Sequence, residues 1–104
     1  MTKLDLIGQP ARVLAQLIRA RETSSVEVCG AYLDRIEDVT AVNAVAHVDR
    51  ETVLRQAALA DEAVSRGDGA PLLGVPFSVK DSIAVEGWPW RSGSFARAEV
   101  VAEV

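Results

Sequence analysis

The spacing of apolar residues changes period several times along this chain, and that alternation limits the folds open to it more than any other feature. Val13, Leu14, Leu17 and Ile18 recur at helical spacing, so a first helix is expected over about Pro10 to Arg21. Pro10 suits a first turn, where a missing N–H costs nothing. Ser24 followed by Glu27 has the form of a capping box. Behind it Val26, Cys29, Leu33 and Ile36 make a second helical stripe. From Val42 to Val48 the pattern switches to alternation, a strand signal weakened by two alanines. Asp49 can cap a third helix over about Arg50 to Arg66, with Val53, Leu54, Ala57, Ala60 and Val64 as a narrow apolar face and Gly67 placed to end it. Gly67 to Pro71 is turn-rich, and Leu73 to Val79 alternates again. Helix, helix, strand, helix, strand is an α/β order. Pro76 cannot donate to a ladder and belongs at a strand start, edge or bulge. Beyond Asp81 the chain reads as irregular, and Phe95 to Val104 as weakly helix-compatible, ending on the apolar run Val100-Val101-Ala102-Glu103-Val104.

Bulk properties narrow the function. The chain has 104 residues, 49% hydrophobic and 25% charged, ordinary globular composition at a length that buries a modest core. A net charge of −4 with basic residues spread singly argues against nucleic-acid binding. No window approaches the roughly 18 apolar residues of a membrane span, and Met1 to Gln9 holds no apolar leader stretch. A lone cysteine, Cys29, forms no internal disulfide. A cytoplasmic protein with no membrane association is expected.

The residue that could carry chemistry is Lys80. Alternation places it at the end of an apolar strand, on the face of Ser78 and beside an irregular loop, where α/β proteins put functional groups. A lysine serves as a base only in its neutral form, which burial and nearby positive charge favour and a paired aspartate opposes. On spacing alone Lys80 reads first as a solvated strand-end lysine beside Asp81. The other candidates read as structural. Cys29 lies on an apolar stripe. His47 is the only histidine and fits the polar face of its strand. Asp34, Glu37 and Asp38 lack metal-ligand spacing and read as a solvated face. Trp88 and Trp90 could border a channel, but aromatic packing is their commoner use. No metal and no cofactor is implied.

The segment Gly74-Val75-Pro76-Phe77-Ser78-Val79-Lys80-Asp81-Ser82-Ile83 resembles the lysine-bearing stretch of the amidase-signature family. Gly87 and Gly93-Ser94 match positions that follow it. Upstream, Ser24-Ser25-Val26-Glu27, Ala31-Tyr32-Leu33-Asp34-Arg35-Ile36 and Val42-Asn43-Ala44 are similar to the opening of the same domain, so the resemblance runs from about residue 10 to 95. It implies that residues 1–104 are the incomplete N-terminal part of an amidase-signature domain: the leading helices and strands of an α/β/α fold around a mixed central sheet. It implies amide-bond hydrolysis of a small-molecule amide by a Ser–cis-Ser–Lys triad, with Lys80 as the lysine. In that scheme Lys80 relays a proton through a bridging serine to activate a second, nucleophilic serine. Glycine-rich N–H groups stabilise the oxyanion.

Both serines belong to a Gly-Gly-Ser-Ser-Gly-Gly-Ser segment expected beyond residue 104, so the chain alone is expected to be inactive. Ser92-Gly93-Ser94 corresponds to a Gly-Ser turn outside the triad, and Ser78 and Ser82 flank Lys80 without an oxyanion loop. Trp90-Arg91 stands where the family usually has small hydroxyl residues. The unfinished end favours a missing C-terminal part or self-association, since an uncovered strand edge invites pairing. A truncated non-catalytic paralogue, an interaction module, or a piece of the transamidating enzyme that makes glutaminyl-tRNA are the competing readings.

Overall fold

In the computed structural model, which describes residues 2–97 and 99–103, helices fill the first two-thirds of the chain and turns the remainder. Helix α1 spans Lys3–Leu6, α2 Ala11–Arg19, α3 Ser25–Asp38 and α4 Arg50–Ser65. Short 3₁₀ turns occupy Thr40–Val42 and Phe95–Arg97.

The helix ends follow from local chemistry. The Ser24 hydroxyl accepts the Glu27 N–H at 3.0 Å, as the capping box requires. Glu27 does not complete the box in the usual way; its carboxylate accepts from the Thr23 hydroxyl at 3.2 Å. Helix α2 stops in a Schellman turn, with Arg21 at φ 59° and its N–H on the Ile18 carbonyl, while the Glu22 N–H reaches Leu17. Gly67 ends α4 in the same way, at φ 86°. Asp49 stands at the start of α4, but its carboxylate makes no capping bond to the backbone. It accepts from the Thr52 hydroxyl at 2.6 Å instead, which holds the carboxyl below the ordinary carboxylate range.

Helix α3 is the centre of the packing, with α1 and α4 both laid against it. Leu6, Leu14, Ile18, Val28 and Ala31 form the core, and Ile7, Tyr32, Val64 and Val75 pack around it. Burying a residue the size of Val28 fully contributes about 1.5–3 kcal/mol. The expected stripe on α3 is one part of a wider buried face: Cys29 and Leu33 are buried and Ile36 half-buried, Val26 is exposed, and Val28 and Ala31 are buried beside them. Arg50 forks between Asp34, at 2.8 Å, and Glu37, at 3.2 Å, tying the start of α4 to the end of α3.

The expected α/β/α layering around a mixed sheet is not what these residues form. Among the described residues there is no strand and no sheet; the only pairing is an antiparallel bridge between Pro89 and Val101. Alternation becomes a strand only where a neighbour takes up the backbone N–H and C=O groups. Over 42–48 no such neighbour is present among the described residues. A 3₁₀ turn and the left-handed Asn43, φ 53°, break the run, and every residue in it is exposed. Over 73–79 the backbone turns first, Leu73 N–H to Ala70 O and Val75 N–H to Leu72 O, then runs unpaired among the described residues. Val75 reaches the core, but Phe77 is 87% exposed.

Among its described residues the tail is also not helical beyond one 3₁₀ turn. Residues 87–90 lie antiparallel to 100–102 through Gly87 N–H to Ala102 O (2.8 Å), Ala102 N–H to Trp88 O (3.0 Å) and Trp90 N–H to Val100 O (2.9 Å). This turns Ala102 inward and leaves Val101 exposed. Val104, the last residue of the expected apolar run, lies outside the described residues.

Candidate active site

The segment that bears Lys80 is held at both ends. At its start, Gly74 has φ +87°, and a Cβ there would stand 3.1 Å from Ser25 Cβ, so this is a position for glycine. That close approach lets the Ser25 hydroxyl donate to the Gly74 carbonyl at 2.6 Å. Ser25 is itself fixed from α4: Asp61 accepts the Ser25 N–H at 2.7 Å and the Val26 N–H at 3.1 Å. The first residues of α3, the body of α4 and the head of the lysine segment therefore meet at one point.

At the other end, the Lys80 carbonyl accepts the Ile83 N–H at 2.9 Å and closes a turn. Asp81 is half-buried, and its carboxylate accepts the Arg91 N–H at 3.2 Å. The Trp90 indole N–H donates to the Ser82 carbonyl at 3.1 Å. Arg97 lies over the Trp90 ring, 4.6 Å from its centroid, and donates to the Trp90 carbonyl. The Arg91 guanidinium reaches the Ala46 carbonyl, and His47 meets Trp88 edge to face at 5.1 Å. Both tryptophans thus pack the loop, and His47 sits on a loop, not on a strand face.

Lys80 itself is exposed, and no described carboxylate pairs with its ammonium. Ser78 and Ser82 are exposed as well. Ser94 is engaged in a turn, its hydroxyl accepting the Ala96 N–H. Cys29 is buried within α3, which pushes its thiol up from the ordinary value, the reverse of an activated nucleophile. No group of three His, Cys, Asp or Glu residues suited to a metal is found among the described residues. No described helix is long and apolar enough to cross a membrane. A surface cleft of about 290 Å³ between the end of α2 and α4 is walled by Arg21, Glu22, Glu27 and Asp61, and Lys80 is not part of it.

The sequence pattern singles out Lys80 and misses the two groups that hold its segment. Asp61 acts on α3 from 36 residues away, beyond any local signal. Asp81 has one in its place directly after the lysine, but its partner, the Arg91 backbone, lies across a loop.

The chain belongs to the amidase family, whose sequence model, described as Amidase, matches residues 27–104. It is similar to the A-type subunit of glutamyl-tRNA(Gln) amidotransferase from Cupriavidus necator, at 47% identity over 83 residues, covering 80% of this chain and 17% of that protein. The corresponding protein of Cupriavidus taiwanensis gives the same identity and coverage. That of Burkholderia vietnamiensis is 42% identical over 81 residues, 78% of this chain and 16% of the relative. The chain thus spans about a sixth of the length of the curated relatives it matches.

Proposed function

We propose that this chain carries the lysine of a Ser–cis-Ser–Lys amide-cleaving site, Lys80, and acts together with polypeptide that contributes the two serines. The observation that carries this reading is the Lys80 turn. The segment is tethered at Gly74 and at Asp81, and the neighbouring carboxylate accepts the Arg91 N–H. A proton-relaying lysine needs a fixed backbone, freedom from a competing carboxylate, and desolvation. The first two are supplied here; desolvation of the exposed Lys80 is left to the serine-bearing polypeptide when it covers the turn. Lys80 then accepts a proton through the bridging serine as the nucleophile attacks the carbonyl carbon, and returns it to the leaving amine. Both the substrate, a small carboxamide, and a cytoplasmic location are part of this proposal.

The names of the relatives favour one branch within this chemistry. A chain 47% identical to the A-type component of an amidotransferase is read as the corresponding piece of such an enzyme, in which the ammonia released from an amide is passed to an acceptor while water hydrolyses the acyl-enzyme left behind.

The test is complementation. The chain is mixed with a fragment of the Cupriavidus necator protein that lacks the matching region, and ammonia release from simple amides such as benzamide is followed with and without glutamyl-tRNA(Gln). Release should require both pieces and disappear in Lys80→Ala. Turnover that survives Lys80→Ala removes Lys80 from the mechanism. A stable complex of the chain with an unrelated protein, and no activity with the serine-bearing fragment, would favour an interaction module.

A further inference from the structure

We propose that Asp81 is a positioning residue for Lys80, acting through the hydrogen bond its carboxylate accepts from the Arg91 N–H. The inference rests on the reading of Lys80 as the proton-transfer lysine. A carboxylate next to a lysine in sequence has two possible uses: to pair with the ammonium, or to bond elsewhere and shape the backbone. Here Asp81 Oδ1 stands 3.2 Å from the Arg91 nitrogen in a half-buried contact.

The partner is a firm anchor. The residue before it, Trp90, is held by its N–H on Val100 and by its indole N–H on Ser82. The Asp81–Arg91 bond and the Ser82–Trp90 bond therefore run side by side from the lysine turn to the paired 87–102 segment. The turn itself is closed by the Ile83 N–H on the Lys80 carbonyl. Among the described side-chain bonds, loss of the Asp81 acceptor leaves the turn attached through the indole and frees the backbone at Lys80. What the position requires is an acceptor oxygen, not a negative charge. Asparagine should therefore substitute for aspartate where alanine does not, the opposite of what an ion pair with Lys80 would show.

Two measurements decide it. In the 104-residue chain, amide hydrogen exchange of Arg91 and Ile83 should speed up by about tenfold or more in Asp81→Ala and by less than about threefold in Asp81→Asn. The Val28 amide, inside α3, should be unchanged in both and so report an intact fold. In the complemented enzyme, Asp81→Ala should lower kcat by on the order of tenfold to a hundredfold with KM within about twofold, and Asp81→Asn should recover most of it. Ile83 protection that survives Asp81→Ala overturns the proposal, as do equal losses of kcat in the two variants. Absence of any Lys80-dependent turnover sinks the reading of Lys80, while the exchange experiment separately decides whether Asp81 holds the turn.

Discussion

The Ser25 hydroxyl donates a 2.6 Å hydrogen bond to the Gly74 carbonyl, joining the first turn of α3 to the head of the lysine segment across 49 residues. Ser25 is almost wholly buried, so removal of its hydroxyl leaves a carbonyl without its partner. Ser25→Ala is expected to lower unfolding free energy by about 1–2 kcal/mol. Gly74→Ala should cost about as much for a different reason, since its φ of +87° disfavours a side chain and the new Cβ meets Ser25 Cβ at 3.1 Å. Ser25→Ala keeps that Cβ but removes the Oγ, which a Cβ at position 74 would meet at 3.3 Å, so the double variant should gain partial relief. Urea melts of the two single variants and the double variant check this, and a double-variant loss smaller than the sum of the single losses is the expected result.

Asp61 supplies the N-terminal capping that the local sequence of α3 does not. Ser24 satisfies the Glu27 N–H, and Asp61 takes those of Ser25 and Val26 with its two oxygens. A negative group at this end also suits the helix dipole. Asp61→Ala should destabilise by about 1–3 kcal/mol, and Asp61→Asn, which keeps one acceptor oxygen, by roughly half as much. Thermal melts at low and high salt separate the two contributions. The loss in Asp61→Asn should shrink with salt, and the hydrogen-bond part of the loss in Asp61→Ala should persist.

These contacts mark where the sequence is readable. Helix starts and stops are legible because their causes lie within four residues: Ser24 before Glu27, Gly67 after α4. The Lys80 segment is legible from its motif. The expected sheet does not form, because alternation over 42–48 and 73–79 states a preference that only a neighbouring ladder can realise, and the described residues contain none. The width of the buried face of α3 escapes the pattern for a related reason. This helix is covered on more than one side, so Val28 and Ala31 are as buried as the expected Cys29 and Leu33. Asp61 and Arg91 act across long sequence separations and leave no local trace.

The Schellman turn after α2 uses a residue poorly suited to it. Arg21 holds φ 59°, where glycine carries no penalty and a β-carbon does, and its side chain is exposed. Arg21→Gly should raise stability by roughly 0.4–1 kcal/mol, because the relief of the left-handed strain outweighs the extra freedom glycine gives the unfolded chain. Chemical denaturation measures the gain. Arg21→Val, with a branched β-carbon at the same φ, should move the midpoint in the opposite direction.

Cys29 provides a prediction on the alkaline side. Its thiol is buried and its pKa is raised above the ordinary value of 9.0, first by desolvation, while Ser25 opposes the shift in part. A folded-state pKa above the unfolded one means that folding favours the protonated thiol. The contribution is fully present below the unfolded value and is lost as pH rises through the folded one. Melting temperature should therefore fall more steeply above about pH 9 in the native chain than in Cys29→Ala, whose loss of one sulfur atom shifts the whole curve but not this slope. The same burial should make alkylation of Cys29 by iodoacetamide at least about tenfold slower in the folded chain than in urea. Equal rates in the two conditions would mean that the thiol is reached without opening α3, and the steeper alkaline loss would then have no basis in its burial.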